Sequence, residues 1–270
     1  PTFYAGLQAS ERLGLKVIEI PSHPREGVNL SALEDALRHH PIKACLFMLN
    51  FANPTGSRVS DENKKALLGL LRRHDIPLIE DDVYAELYFG IQAPLCSKVD
   101  DQSGLVMHVS SFSKSLAPGY RIGWIAAGRY ARNIQHQKLS LSLATTIPVQ
   151  IALADYLKQG GYENHLRHLR HTLAMQENTL VQAIERYFPS GTKLARPQGG
   201  YFLWLELPKK VDAILLHQQA LREGISIAPG PIFSAKREFI HHLRLNFGHP
   251  DSERLESSMA ALGKLASQQL

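Results

Sequence analysis

Val109-Ser110-Ser111-Phe112-Ser113-Lys114-Ser115-Leu116-Ala117-Pro118-Gly119-Tyr120-Arg121-Ile122-Gly123-Trp124 sets one lysine among small hydroxyl residues at the end of an apolar strand, with an arginine seven positions on. A lysine that leaves a strand into a Ser/Pro/Gly-rich loop is held near the edge of a sheet, where partial desolvation favours the neutral, nucleophilic amine. A solvated loop lysine fits the same residues. The choice between the two falls to the partners supplied by the rest of the chain.

Outward from that loop, residues 105–110 form an apolar strand that delivers the lysine, and residues 122–127 form another that begins just after Arg121. Upstream, residues 77–82 read as a short strand ending in acids, and residues 44–49 as a continuous apolar run, expected for a strand buried on both faces. The latter ends in the turn-rich Asn50-Phe51-Ala52-Asn53-Pro54-Thr55-Gly56. Helical patterns occupy residues 5–13 and 61–74, residues 16–21 read as a strand closed by Pro21, and Ser31-Ala32-Leu33-Glu34 has the form of a capping box. Strands alternating with helices predict a mostly parallel sheet wrapped by helices, with ligands bound beyond the carboxyl ends of the strands. The loops carrying Asn53, Asp81 and Lys114 all follow strands, so the three can converge on one crevice.

From 129 to 187 the pattern is one of long helices, and beyond it strands at 192–196, 200–207, 225–228 and 242–247 interleave with helices at 211–223 and 251–266. This predicts a large α/β domain over residues 1–165 and a smaller α+β domain over 166–270.

Composition bounds the function. A chain of 270 residues buries a sizeable core, and its net charge of +5 is spread among acids, which gives no nucleic-acid surface within these residues. No apolar run is long enough to span a bilayer and no signal peptide opens the chain, so a cytoplasmic location is expected and no membrane partner. Cys45 and Cys96 are too few for a disulfide framework or a zinc site. Among thirteen histidines, the pairs His39-His40 and His241-His242 have no carboxylate or cysteine at ligand spacing, so no metal site is expected.

The residues around the lysine hint at a carbonyl partner. Asp81 can hold a ring nitrogen protonated, Tyr84 and Asn53 can contact a phenolic oxygen, and Arg121 with Ser111 offers a guanidinium fork and a hydroxyl for a phosphate. Taken singly, Asn53 is a turn residue, Asp81 a strand-end acid and Tyr84 a core aromatic. Taken together, lysine, acid, phenolic partners and phosphate clamp describe pyridoxal 5′-phosphate.

The chain resembles the fold-type I, class I/II aminotransferases throughout its length. The resemblance rests on Asn53-Pro54-Thr55-Gly56, Asp81-Asp82-Val83-Tyr84, Ser111-Phe112-Ser113-Lys114, Pro118-Gly119-Tyr120-Arg121-Ile122-Gly123, Gly199-Gly200-Tyr201-Phe202 and Arg244-Leu245-Asn246-Phe247, in that order. It implies the pyridoxal-phosphate-dependent transferase fold, a mostly parallel sheet sandwiched by helices plus a smaller α+β C-terminal domain. By the same resemblance Lys114 forms a Schiff base with the cofactor and shuttles the substrate Cα proton. Asp81 pairs with the pyridine nitrogen, Asn53 and Tyr84 contact the 3′-oxygen, Ser111 and Arg121 bind the phosphate, Phe3 stacks on the ring, and Arg244 grips an α-carboxylate. Transamination and a homodimer follow as expectations.

Residues 224–234 and 243–247 look most like the aminotransferase-like domains of MocR-type regulators of the GntR family, which carry a DNA-binding domain upstream. The resemblance therefore implies either an effector domain that senses an amino acid or amine, with DNA bound only through that upstream domain, or a free-standing aminotransferase. Opening on Pro1 with no initiator methionine, the chain reads as N-terminally truncated. It lacks the Gly/Ser-rich turn that binds the phosphate in complete family members, so weak or no cofactor binding is expected of these residues alone.

Overall fold

In the computed structural model, which describes residues 1–249 and 252–270, the chain opens with helix α1 (Tyr4–Arg12), the hairpin β1 (Ser22–His23) and β2 (Gly27–Val28), and helix α2 (Leu30–His39). There follow β3 (Cys45–Phe47), α3 (Asp61–Arg73), β4 (Leu78–Asp81), β5 (Val106–Ser111) and β6 (Gly123–Ala126). The rest comprises α4 (Ala131–Ser142), α5 (Ile147–Lys158), α6 (Gly161–Tyr187), β7 (Lys193–Leu194), β8 (Phe202–Glu206), α7 (Ala213–Arg222), β9 (Ala228–Pro229), β10 (His242–Asn246) and α8 (Ser252–Ser267).

The first sheet has the order β3-β4-β5-β6. Its first three strands are parallel, because α3 returns the chain from β3 to the start of β4, while β6 runs antiparallel to β5 with Ser111 opposite Gly123. Only a loop and one 3₁₀ turn, Pro118–Tyr120, join β5 to β6, too little for a crossover, so the chain doubles back. Lys114 lies in that return loop. Apolar faces of α2 (Leu33, Leu37) and α3 (Leu67, Leu70, Leu71) bury Leu78 and Val106 of this sheet.

Two sequence expectations change here. Residues 16–21 do not form a strand, since they have no ladder partner among the described residues. Helix α2 is capped by Asn29 and not by Ser31: Asn29 is extended and its Oδ1 accepts from the Ala32 N–H at 3.0 Å, while Glu34 reaches Arg38 at 2.8 Å.

The second sheet, β7-β8-β10-β9, is antiparallel throughout, with Arg244 opposite Trp204. Leu173, Leu180 and Ile184 of α6 and Met259 and Leu262 of α8 pack beneath it, and α6 runs unbroken through residue 165. Phe51, Tyr84 and Leu87, from loops of the first sheet, belong to this same core. The seam is tied by backbone bonds from Gly200 N–H to the Leu87 carbonyl and from Phe89 N–H to the Gln198 carbonyl, each 2.9 Å. Gly199 permits that approach, for a Cβ there would stand 2.5 Å from the Leu87 carbonyl oxygen and 2.6 Å from the Phe51 ring.

Strand β6 is exposed along its length, and Leu139, Leu141, Leu143, Ile147 and Ile151 of the α4–α5 region are also exposed. Among the described residues no helix is long and apolar enough to cross a membrane.

Candidate functional site

The carboxyl ends of β3 and β4 are tied to each other and to the middle of β5 by a largely buried polar chain. Lys64, only 2% exposed on α3, donates to Asn50 Oδ1 at 2.7 Å, the Leu95 carbonyl at 2.6 Å and Asp61 Oδ1 at 3.2 Å. Asn50 passes its amide on to Asp82 Oδ1 at 2.8 Å, and the other Asp82 oxygen meets His108 Nε2 at 3.1 Å. Burial pulls the Lys64 ammonium below its usual pKa, with Asp61 and Asp82 acting against that. This chain fixes the loop after β3 to the loop after β4, and so sets Asn53 against Tyr84.

Above it the predicted groups gather. Asn53 is buried and its Nδ2 reaches the Tyr84 hydroxyl at 3.4 Å, while its Oδ1 accepts from Arg244 Nη1 at 2.9 Å. Lys114 Nζ stands 6.0 Å from the centre of the Tyr84 ring and 5.9 Å from that of Tyr201. Asp81 is half-buried at the end of β4, where Oδ1 accepts from the Val83 N–H at 3.4 Å. Burial pushes its carboxyl above the usual carboxylate range, and the Val83 amide and the Lys114 charge pull it back. Burial likewise raises the Tyr84 phenol, helped by Tyr201, whose ring lies edge-on at 5.5 Å.

Arg244 comes from β10, in the other sheet. Its guanidinium carbon lies 5.4 Å from the Phe202 ring centre and 5.3 Å from that of Phe233, and its Nε is buried without a hydrogen-bond partner. Burial lowers its pKa, with the Tyr84, Tyr201 and Tyr4 hydroxyls acting the other way. An unpaired buried N–H on a cation is costly, so this edge of the fork is poised for an anionic oxygen.

Three predicted residues find their hydrogen bonds and ring contacts outside that cluster. Phe3 is half-buried before α1, with its ring 4.6 Å from Tyr4, and the segment is anchored by the Thr2 N–H to the Phe233 carbonyl at 2.9 Å. Ser111 accepts from the Ser113 N–H at 3.3 Å, within its own turn. Arg121 is exposed, donates to the Pro118 carbonyl at 3.2 Å, and holds φ at 53°, a left-handed conformation unusual for a residue with a Cβ.

Two features escaped the sequence reading. Tyr201 belongs to the quoted Gly-Gly-Tyr-Phe motif, but its place beside Lys114 depends on packing between the two sheets. Glu80, Cys96 and His108 bring ligand-type atoms within 4.8 Å of one another, although no spacing pattern joins them.

A model of the family described as aminotransferase class I and II matches residues 1–262. The chain is 46% identical over 270 residues to the HTH-type transcriptional regulator YdcR of Escherichia coli (strain K12), described as uncharacterized. That match covers all of this chain and 58% of the regulator's length. It is 30% identical over 276 aligned positions to aromatic-amino-acid aminotransferase 1 of Thermococcus litoralis, covering 66% of that enzyme. Among solved structures it is similar to the Pyrococcus horikoshii kynurenine aminotransferase in complex with PMP, at TM-score 0.94 and 30% identity, across all of this chain and 68% of that one. The chain thus spans a little over half the length of the regulator it matches.

Proposed function

The chain belongs to the aminotransferase class I and II family, and on that premise we propose that its crevice holds pyridoxal 5′-phosphate and recognises amino acids by their α-carboxylate. The observation that carries this reading is the convergence of Lys114, Asp81, Tyr84, Asn53 and Arg244, drawn from four separate segments. The donor set fits the group. A half-buried carboxyl at Asp81 suits a protonated ring nitrogen, the Tyr84 and Asn53 polar atoms suit a ring oxygen, and the unpaired Arg244 Nε suits a carboxylate.

When bound, the group supplies a carbonyl carbon for amines and an electron sink for the bond at the substrate Cα. The chain's own residues do the rest. Lys114 Nζ would hold the group through its carbonyl carbon, and as a free amine would take the proton from the substrate Cα. Asp81 keeps the ring nitrogen protonated, and Tyr84 Oη with Asn53 Nδ2 orients the ring oxygen. Ser111 and Arg121 serve as phosphate ligands, Arg121 after releasing the Pro118 carbonyl. Phe3 covers the ring face. Residues 1–165 act as the large cofactor-binding part and 166–270 as the smaller part that brings Arg244.

At the level of the whole protein we read this chain as the amino-acid-sensing domain of a MocR-type regulator, with DNA contacted only by a separate domain. Identity of 46% to YdcR across all 270 residues supports this. Free-standing transamination is the second reading, supported by the likeness to the Thermococcus litoralis aminotransferase. A homodimer is expected of either, and the exposed apolar residues of α4 and α5 are in keeping with it.

The test is to add pyridoxal phosphate to the full-length protein and record spectra with a panel of amino acids. A one-to-one absorbance change that is lost in Lys114→Ala supports the reading, whereas its retention in that variant overturns it. Oxo-acid product then distinguishes an enzyme from a protein whose DNA affinity alone responds.

A further inference from the structure

Glu80 and His108 are register partners on β4 and β5, and such partners point to the same face of a parallel sheet. That face is opposite the one to which Asp81 projects. Cys96 is brought over the pair by the 3₁₀ turn Ser97–Asp100, whose first N–H is bound by Glu80 Oε1 at 2.8 Å. Carboxylate oxygen, thiol sulfur and imidazole nitrogen then lie within 4.8 Å of one another.

A second observation points to a ligand at this place. Glu80 is fully buried, yet its other oxygen, Oε2, has no hydrogen-bond partner of good geometry. A buried acceptor of this kind ordinarily finds a donor, a water or a cation. His108 also has the carboxylate partner that metal-binding histidines usually have, Asp82 at 3.1 Å from Nε2, so an ion bound here would take Nδ1.

We propose that Glu80, Cys96 and His108 form a binding site for a zinc-class divalent cation on the reverse face of the strand that carries Asp81. One oxygen, one sulfur and one nitrogen ligand suit a borderline-soft, tetrahedral ion. Ligand atoms around such an ion stand about 3.5 Å apart, so the three side chains close by roughly 1 Å on binding. Cys96 gives up its thiol proton to solvent as the metal–sulfur bond forms. Because Cys96 and His108 are only half-buried, water can fill the fourth position. The bound ion ties the 82–97 loop to the sheet and leaves Asp82 oriented through His108. The site is independent of the cofactor reading.

Metal-stripped full-length protein is titrated with zinc chloride and with cobalt(II). One equivalent of zinc retained after desalting, together with a thiolate-to-cobalt charge-transfer band, is expected of the wild type. Cys96→Ser abolishes the band, and His108→Gln and Glu80→Gln each weaken zinc binding by about tenfold or more. Absence of the band in the wild type overturns the proposal. So does unchanged zinc affinity in folded Cys96→Ser and His108→Gln, which would assign the zinc to surface histidines.

Discussion

Arg244 donates from Nη1 to Asn53 Oδ1 at 2.9 Å while its Nε stays buried without a partner, so one guanidinium joins the two sheets and keeps an N–H of its side edge unpaired. A carboxylate can lie along that edge in a bidentate pair, using the planar fork that lysine lacks. Arg244→Lys is therefore expected to weaken binding of α-amino acids by about 10- to 100-fold, the range for hydrogen bonds to charged groups. Amines that lack the carboxylate should bind as before. Titrations of both ligand classes against both proteins check this, and equal losses for the two classes would show that the carboxylate is not what Arg244 reads.

Lys64 holds three acceptors at once, on α3, β3's exit loop and the 91–95 loop. Lys64→Met keeps most of the stem volume and removes the charge, leaving Asn50 Oδ1 without a donor and the Leu95 carbonyl with only the longer bond from Asn50 Nδ2 at 3.2 Å. The expected cost is about 2–4 kcal/mol, measured by urea unfolding. Because Asn50 also serves Asp82, Lys64→Met combined with Asn50→Leu should cost clearly less than the sum of the two single changes. Strict additivity would mean that the residues do not act as one network.

Gly199 sets how closely the two sheets approach. Its added Cβ would meet a carbonyl oxygen and the Phe51 ring, both anchored in the core, with no flexible side chain to give way. Gly199→Ala is thus expected to destabilise the fold by about 1–3 kcal/mol, the usual cost of overpacking. Gly224→Ala, with a left-handed φ of 74° and open space around the Cβ, is the control for conformational strain alone. Both can be read from thermal denaturation, and the Gly199 variant should also shift the amino-acid affinity, since the seam positions Arg244 relative to Asn53.

Much of the parallel sheet was legible because each of its strands is an apolar run that ends in turn residues or acids, and the chemistry-bearing side chains sit at those ends. The α+β character of the second half was legible from the switch in hydrophobic period. The antiparallel return of β6 was set by the shortness of its loop, a signal present in the Pro118-Gly119 turn but outweighed by the alternating pattern. Residues 16–21 have strand composition without a strand neighbour, which no local pattern reveals. At α2 the capping box read at Ser31 does not form, because the helix starts earlier and Asn29 is the residue extended ahead of its first turn. Lys64 is a charge in a helix, and only its spacing from Leu67 and Leu71 places it on the buried face. The positions of Tyr201 beside Lys114, and of Cys96 over Glu80 and His108, arise from contacts between distant segments and leave no periodic trace.

Asp101 gives the fold an acid-sensitive latch. Its side chain is 1% exposed, with Oδ1 accepting from the Ser103 and Leu105 N–H groups and Oδ2 from Val106 N–H and Lys98 Nζ, both at 2.9 Å. Burial by itself would push this carboxyl up, but the Lys98 ammonium and the backbone donors outweigh it and hold it down to about 2. A carboxyl depressed on folding binds its proton more weakly in the native state than in the unfolded one. Its contribution is therefore complete above the unfolded value of about 3.9 and is lost as the pH falls through the folded value. Asp101→Asn puts an amide against the same donors and should cost about 2 kcal/mol near pH 6, with the gap to wild type narrowing steadily towards pH 2. Urea unfolding of both proteins across that range measures the gap, and a difference that stays constant with pH would mean that the carboxylate charge is not what holds the start of β5 in place.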